Sequence, residues 1–499
     1  MNTQEMKMRE AFPYFAGISL AYGALFAFCF YRNLFGNTFF LYTAGTVLAL
    51  ALFLKKLKLR MKKVLFPLFS AVLLCGAAVC ITDSALLQWG SWFCVILLLL
   101  AAMLEQFRGN FCGNVSGWLC NACRLFGSTF RCAALPVRET VDCLEKRREK
   151  AEGDRGSAKY ILAGFAAAAA AMCLILPLLF SSDLVFGSLI KRFLEDLITR
   201  FSDVIGVLLS ALAGSLLLYG FFSASCRAGG ENGRETAGVR HRALTGIVFA
   251  AVIAAVYLLY AGVQVVYLFA GAGKLPEGVT YSEYARTGFW QLAVVAVLNV
   301  VLVMVCSRIF EKQTALQVFL LLICLCTFVM TASAAYRMVL YVEAYQLTFL
   351  RLLVFWLLGT AAVLMAGVTA AIFRDSFPLV RCMLLTAVCS YLVFAMIRPD
   401  YLVAAYNIEH TETLTEEDFS YLLRLSLDAA PAVAEISEKN TFAGNDSTLQ
   451  AEVRWELHNY FQRILAVCRG KDFRQINYST VLAAQAAEKY LSTHDPVLG

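Results

Sequence analysis

Charged side chains make up 16% of this chain, against roughly a quarter in an ordinary soluble domain. That shortage excludes both a water-soluble globular protein and a charge-rich disordered one. Histidine is scarcer still. The four residues His241, His410, His458 and His494 are scattered and form no H-x-x-x-H pair, so a helix-borne zinc protease site is not encoded. No Gly-rich phosphate loop of the Walker or dinucleotide type occurs and no G-x-S-x-G elbow stands at a strand-to-helix turn, which argues against a nucleotide-driven pump and a serine hydrolase. No cofactor and no metal is implied. Proline is sparse at nine residues, and only Pro67 and Pro177 lie deep within apolar runs. Aromatic residues lie mainly in the apolar runs, and none interrupts the basic run 55–63, so no nucleic-acid partner is expected.

Cysteine is not scarce, at 17 residues, but its placement excludes a disulfide-stapled exterior. Cys29, Cys75, Cys80, Cys94, Cys173, Cys324, Cys326 and Cys389 lie in apolar runs, where the thiol behaves as a small apolar group. The exception is the basic segment carrying Cys112, Cys120, Cys123, Cys132 and Cys143. Only one tight C-x-x-C pair and no nearby histidine are present there, so the pattern favours reduced thiols over a four-ligand zinc site.

What the chain has is apolar length. Hydrophobic residues make up 60% and the mean hydropathy is +0.67. Eleven stretches approach the ~20 residues a helix needs to cross a bilayer: 13–31, 37–54, 64–82, 85–104, 160–180, 204–222, 244–270, 287–307, 313–333, 349–373 and 378–397. The first reads as an uncleaved anchor. Helices satisfy their own backbone groups in lipid, and no alternating ten-residue pattern of a membrane barrel occurs. The expected fold class is therefore all-α: a polytopic helical membrane protein with about 11 transmembrane helices and a small C-terminal helical domain. Its divisions are four spans in 1–104, a basic segment in 105–159, seven further spans in 160–397 and an acidic tail in 398–499.

Lysine and arginine set the orientation, because basic loops resist translocation. With the N-terminus in the cytoplasm, the inward segments hold 26 of the 43 basic residues and the outward loops eight. The run Lys55, Lys56, Lys58, Arg60, Lys62 and Lys63 contains no acid. Residues 1–397 carry a net +13 and the tail −6, so an odd span count places the tail outside the cytoplasm. The expected location is the cytoplasmic (inner) membrane. The basic loops are expected to meet anionic lipid headgroups, making membrane lipids the first partner.

Between the fifth and sixth spans, Phe186, Leu189, Ile190, Phe193, Leu194, Leu197, Ile198 and Phe201 form one apolar stripe. A separate amphipathic helix at 186–203, lying flat at the outer interface, is the expectation. The run from Ala315 to Leu347 contains neither Pro nor Gly. It predicts a rod on the order of 50 Å, which must project beyond the bilayer or break.

Three polar signatures are expected at the outer face, and their residues are the candidate binding set: Tyr281, Glu283, Tyr284 and Arg286; Arg337, Tyr341 and Glu343, with Arg351 just beyond; and Arg398 with Asp400. Ionisable groups at a membrane boundary suggest function, yet the same charges suit an internal ion-pair network. No catalytic residue stands out. In the tail, Thr415 before Glu416, Glu417 and Asp418 signals a helix start. Leu449, Val453, Leu457, Phe461, Ile464 and Leu465 form a second stripe, and a last helix is predicted over 480–491.

The stretches EGVTYSEYARTGFWQL, ASAAYRMVLYVEAYQLTFLRL, RPDYLVAAYNIE and LSLDAAPAV resemble, over roughly residues 275–435, the C-terminal membrane region of a bacterial family of multispanning proteins catalogued as a domain of unknown function. Where that family commonly has Gly after the tyrosine of EAY, this chain has Gln346; where it often has Asn before Pro399, this chain has Arg398. The resemblance implies a bacterial cytoplasmic-membrane protein without an assigned activity. The residues favour a binding or assembly protein of the cell envelope, with an envelope protein or a lipid-linked ligand as outer-face partner. A transporter or lipid flippase is the alternative, and a membrane-embedded transferase is less favoured.

Overall fold

The computed structural model describes residues 3–109, 115–141, 164, 168, 171–172, 184–229, 241–265, 289–374, 376–410, 415–436 and 447–494. Its helices are α1 (Thr3–Glu10), α2 (Phe12–Phe30), α3 (Asn37–Lys56), α4 (Leu65–Ile81), α5 (Ala85–Arg108), α6 (Val115–Cys132), α7 (Leu184–Ala228), α8 (Ala243–Gln264), α9 (Phe289–Ile309), α10 (Thr314–Tyr345), α11 (Phe349–Phe373), α12 (Leu379–Met396), α13 (Pro399–His410), α14 (Glu416–Leu422), α15 (Ala430–Val433), α16 (Ser447–Gly470) and α17 (Tyr478–Thr493). A single 3₁₀ turn, Leu427–Ala429, precedes α15. The β-structure among the described residues is one isolated bridge, His241 to Phe310.

Among the described residues, nine helices are long and apolar enough to span a membrane: α2, α3, α5, α7 from Phe201 onward, α8, α9 from Gln291 onward, α10, α11 and α12. The chain is a polytopic helical membrane protein. The run expected at 64–82 forms α4, an apolar helix of 17 residues, and the run at 160–180 lies almost wholly outside the described residues. Segment 186–203 is not a separate helix. It continues without interruption into the next span as α7, 45 residues long. The rod of α10 is likewise unbroken for 32 residues and ends at Gln346, where φ turns to +67°.

The chain divides into two units. The first comprises Met1–Leu34, Leu48–Arg60 and Leu125–Gly230. Lipid tails are as apolar as leucine, so helices there associate through close packing and buried polar contacts. Phe53 stacks on Phe222 at 4.2 Å with the rings 4° from parallel, and Phe15 meets both edge-on. Such aromatic pairs contribute about 1 kcal/mol each beyond area burial. Below them Glu139 accepts from the Tyr219 hydroxyl and pairs with Arg9 at 3.4 Å, which keeps a half-buried carboxylate compensated. Helices α2 and α7 pack closely at Gly23. A Cβ there would lie 2.0 Å from Ser215 Oγ and 2.2 Å from the Ala211 carbonyl oxygen.

The second unit comprises Phe35–Val47, Met61–Arg124 and Glu231–Gly499. Ala250 and Ala254 of α8 are small enough to admit Val300 and Val303 of α9, Leu320 and Ile323 of α10 and Met365 and Val368 of α11 into one core. The tail has a core of its own. Ile408, Phe419, Leu422, Val433, Leu457, Phe461 and Tyr490 are all buried together, and Phe461 stacks on Tyr490 at 4.4 Å. Thr415 and Asp418 form a reciprocal capping box at the start of α14, satisfying two donors that a helix end otherwise exposes.

The close approach at Gly23 separates two glycines of the same helix. Gly23→Val should cost about 2–3 kcal/mol through overpacking, whereas Gly17→Ala, which meets open space, should be neutral or slightly stabilising. Thermal unfolding of the two purified variants in detergent measures the difference; equal midpoints would contradict the packing.

Candidate functional site

The strongest concentration of buried polar groups in the second unit lies where the tail meets the ends of the spans. Its centre is Asp428 in the 3₁₀ turn, whose side chain is 0% exposed. A bare carboxylate in that position would cost several kcal/mol, and the chain surrounds it with donors. Thr82 Oγ1 donates to Oδ2 at 2.5 Å, Asp83 N–H to the same oxygen at 3.3 Å and Ser426 Oγ at 3.4 Å. Arg398 Nε reaches Oδ1 at 3.3 Å, and Ser479 Oγ donates to that oxygen as well. The guanidinium also holds the Asp428 carbonyl and Ser479 Oγ, each at 3.2 Å.

Four separate pieces of chain are thereby tied at one point: the turn between α4 and α5, the start of α13, the 3₁₀ turn and the start of α17. A second layer repeats the theme. Lys471 Nζ donates to Asp83 Oδ1 at 2.9 Å, and Asn477 Nδ2 donates to Asp83 Oδ1 at 3.1 Å and to the Thr82 carbonyl at 3.2 Å. Asn477 also caps α17 by accepting from Thr480 N–H at 2.8 Å. The turn before α3 joins by backbone alone. Gly36, at φ +136°, lets the Arg474 carbonyl come within 2.2 Å of where a Cβ would stand, and Asn37 N–H donates to the Ile476 carbonyl at 3.3 Å.

The sequence-predicted residues fall into separate groups. Arg398 and Asp400 enter the same network: Ser426 Oγ bonds both Asp400 Oδ2, at 2.5 Å, and Asp428 Oδ2. Tyr341 and Arg351 meet at the end of α10, the guanidinium 4.2 Å from the ring centroid. Arg351 Nη1 there donates to the carbonyls of Tyr345 and Gln346, a cation on the negative end of a helix. Arg337 lies inside the spans, 7% exposed, and donates to Gln264 Oε1 at 3.0 Å, the same oxygen that accepts from Ser333 at 2.6 Å. Glu343 is exposed. Tyr281, Glu283, Tyr284 and Arg286 lie outside the described residues.

The signatures themselves touch. Asn407 of YNIE exchanges two hydrogen bonds with the backbone of Leu347, at 2.9 and 2.8 Å, and Phe349 N–H donates to the Tyr421 hydroxyl at 2.8 Å. The two departures from the resembled family acquire a physical meaning here. Gln346 and Arg398 both have left-handed backbones, φ +67° and +55°, the region that Gly and Asn enter most easily. Gln346 offsets the strain by donating to Asp418 at 3.2 Å; Arg398 does so through Asp428. Sequence reasoning missed Thr82, Asp83, Ser426, Asp428, Lys471, Asn477 and Ser479 as members. Asp83 alone in a tight turn and the acid of LSLDAAPAV were the available signals.

Burial pushes the Asp428 carboxyl above the ordinary 3.8, opposed by the bonds from Thr82, Arg398 and Asp83. Burial likewise raises Asp400, opposed by Ser426 and reinforced by the nearby Asp428 charge. With its donors placed from every side, the cluster is a lock that sets the tail on the span ends. The fold and this site together define a polytopic membrane protein carrying a helical module fastened to the ends of its spans. Residues 68–436, more than half of the chain, match the family described as a domain of unknown function (DUF4153). The chain belongs to that family. No curated protein and no solved structure matches it.

Asp428→Ala strands Arg398 and the hydroxyls of Thr82 and Ser479 in a buried site, and should destabilise the docked tail by about 3–5 kcal/mol, read as faster proteolysis of residues beyond 398. A carboxyl with a raised folded-state pKa binds its proton more tightly when folded, so its contribution weakens as pH rises above 3.8. Asp400→Asn should therefore flatten the fall in thermal stability as pH rises above 3.8; an unchanged slope would contradict the assignment. Gln346→Gly, which relieves the left-handed strain, should raise stability by up to about 1 kcal/mol, whereas Arg398→Asn, which relieves strain but removes the guanidinium, should lower it.

Proposed function

We propose that this protein binds or assembles partners of the bacterial cell envelope, with the locked tail as an extracytoplasmic platform. The observation that carries the reading is the Asp428 node. It joins four chain segments at one place, which fixes the tail's orientation on the membrane part, as a presenting surface requires. The outer side of α16 offers Trp455, 68% exposed, beside Glu452 and Arg454. A large exposed aromatic amid charges is the residue type that anchors protein interfaces.

Orientation rests on charge. Within the second unit, Lys62, Lys63, Arg108, Arg242, Arg308, Lys312, Arg374 and Arg381 lie at the helix ends opposite to those that meet the tail. A basic end of this kind stays in the cytoplasm, which puts the tail outside. The partner is an envelope protein or a lipid-linked ligand.

Transport is the second reading, favoured by a polar series within the spans. Tyr257 donates to Asn299 Oδ1 at 2.8 Å, Asn299 Nδ2 to Thr327 Oγ1 at 2.9 Å, and further along α10 Ser333 and Arg337 both donate to Gln264 at the end of α8. Polar groups at that depth are costly to bury.

A reporter fused after Gly499 should be active only outside the cytoplasm, and cytoplasmic activity would overturn the orientation. A photo-crosslinker at position 455 in living cells should give a discrete adduct that an exposed position at the basic end, such as Arg374, does not give. Loss of solute uptake in Asn299→Leu with the crosslink intact would instead favour transport.

A further inference from the structure

We infer that the groove between α4 and α12 at the basic end is a binding site for one anionic glycerophospholipid, a function separate from that of the tail. The groove has a volume of ≈ 320 Å³ and is lined by Lys63, Val64, Pro67, Leu68, Arg381, Leu384 and Leu385. Its chemistry is divided in two. The polar side chains of the lining are Lys63 and Arg381, both cationic, and no acid is among them; the other five are apolar. A soluble anion would find two charges but no use for a hydrocarbon wall, and a neutral lipid would bring no charge to complement the two cations. A molecule with a phosphate diester at one end and acyl chain at the other satisfies both parts.

The position suits that occupant. Lys63 stands two residues before α4, and Arg381 is the third residue of α12, so both cations sit at the ends of apolar helices, where a span meets the headgroup layer. Val64, Pro67 and Leu68 follow Lys63 along α4, and Leu384 and Leu385 follow Arg381 along α12. The apolar lining therefore runs from the charged mouth into the span region. Both helices begin here, and their positive ends add to the field of the two side chains.

Lys63 is held in place by its neighbour. Lys62 donates from Nζ to the Glu105 carbonyl and from its backbone N–H to Gln106 Oε1 at 3.2 Å. These bonds fasten the loop to the end of α5 and leave the next side chain, which is exposed, at the groove. Basic pockets between helices on the cytoplasmic side are a recognised form of acidic-lipid recognition.

The test uses the full-length protein in detergent, with bound lipid read by native mass spectrometry during titration with dioleoyl phosphatidylglycerol or dioleoyl phosphatidylcholine. The wild type should bind one phosphatidylglycerol at least about tenfold more tightly than phosphatidylcholine. Lys63→Gln/Arg381→Gln should abolish that preference, whereas Arg242→Gln/Arg374→Gln, basic residues of the same end outside the groove, should keep it. Leu385→Trp, at an exposed wall position, should weaken phosphatidylglycerol while leaving both cations in place. Unchanged thermal unfolding of each variant certifies its fold. Equal binding of the two lipids, retention of the preference in the Lys63/Arg381 variant, or displacement of phosphatidylglycerol by soluble glycerol 3-phosphate would each overturn the inference, the last by showing that a free phosphate is the ligand.

Discussion

The second unit depends on the burial of one carboxylate. Asp428 is wholly enclosed, and its two oxygens collect donors from the Thr82–Asp83 turn, Ser426, Arg398 and Ser479. Buried ion pairs add little net stability when complete and cost much when broken. The value of this one is positional, because the donors come from separate stretches of chain, around 82, 398, 426 and 479, and the network closes only in one arrangement. The left-handed backbone of Arg398, the close approach at Gly36 and the cap at Asn477 all belong to that arrangement.

The second unit has two ends of different character. At one, polar groups are paired within the protein and the tail is locked in place. At the other, cations gather at the helix ends and line a groove with apolar walls. Between them, Asn299, Thr327, Gln264, Ser333 and Arg337 bury amides, hydroxyls and a guanidinium in the spans, each hydrogen-bonded to a neighbour on another helix or to the turn below. That pattern lets helices in lipid choose one partner and one register where apolar contact alone does not discriminate.

Much of the fold was legible because a membrane imposes length. Runs such as 349–373 and 378–397 emerge as α11 and α12 almost residue for residue, and Thr415 with Asp418 signals its helix start by chemistry that needs no tertiary context. Continuity was less legible. The stripe at 186–203 reports which face is apolar but not where the helix stops, and α7 runs on for 45 residues. The site was half legible. Arg398 and Asp400 stand out as charges beside a span, but the Thr82–Asp83 turn lies some 345 residues from Asp428, and nothing local announces the pairing. Arg337 stands out as a charge on an apolar run, but its burial and its partner do not, because that partner, Gln264, lies inside another run read as apolar.

The central claim is that the tail is fastened to the span ends through Asp428, and a double-mutant cycle between Thr82 and Asp428 tests it most directly. Thr82→Val and Asp428→Asn are made singly and together, and the unfolding free energy of each is measured in the same detergent. The account predicts a coupling of about 1–3 kcal/mol, the range for groups in one hydrogen-bonded network. Additive losses would mean that the turn between α4 and α5 and the tail do not share this bond, and would contradict it.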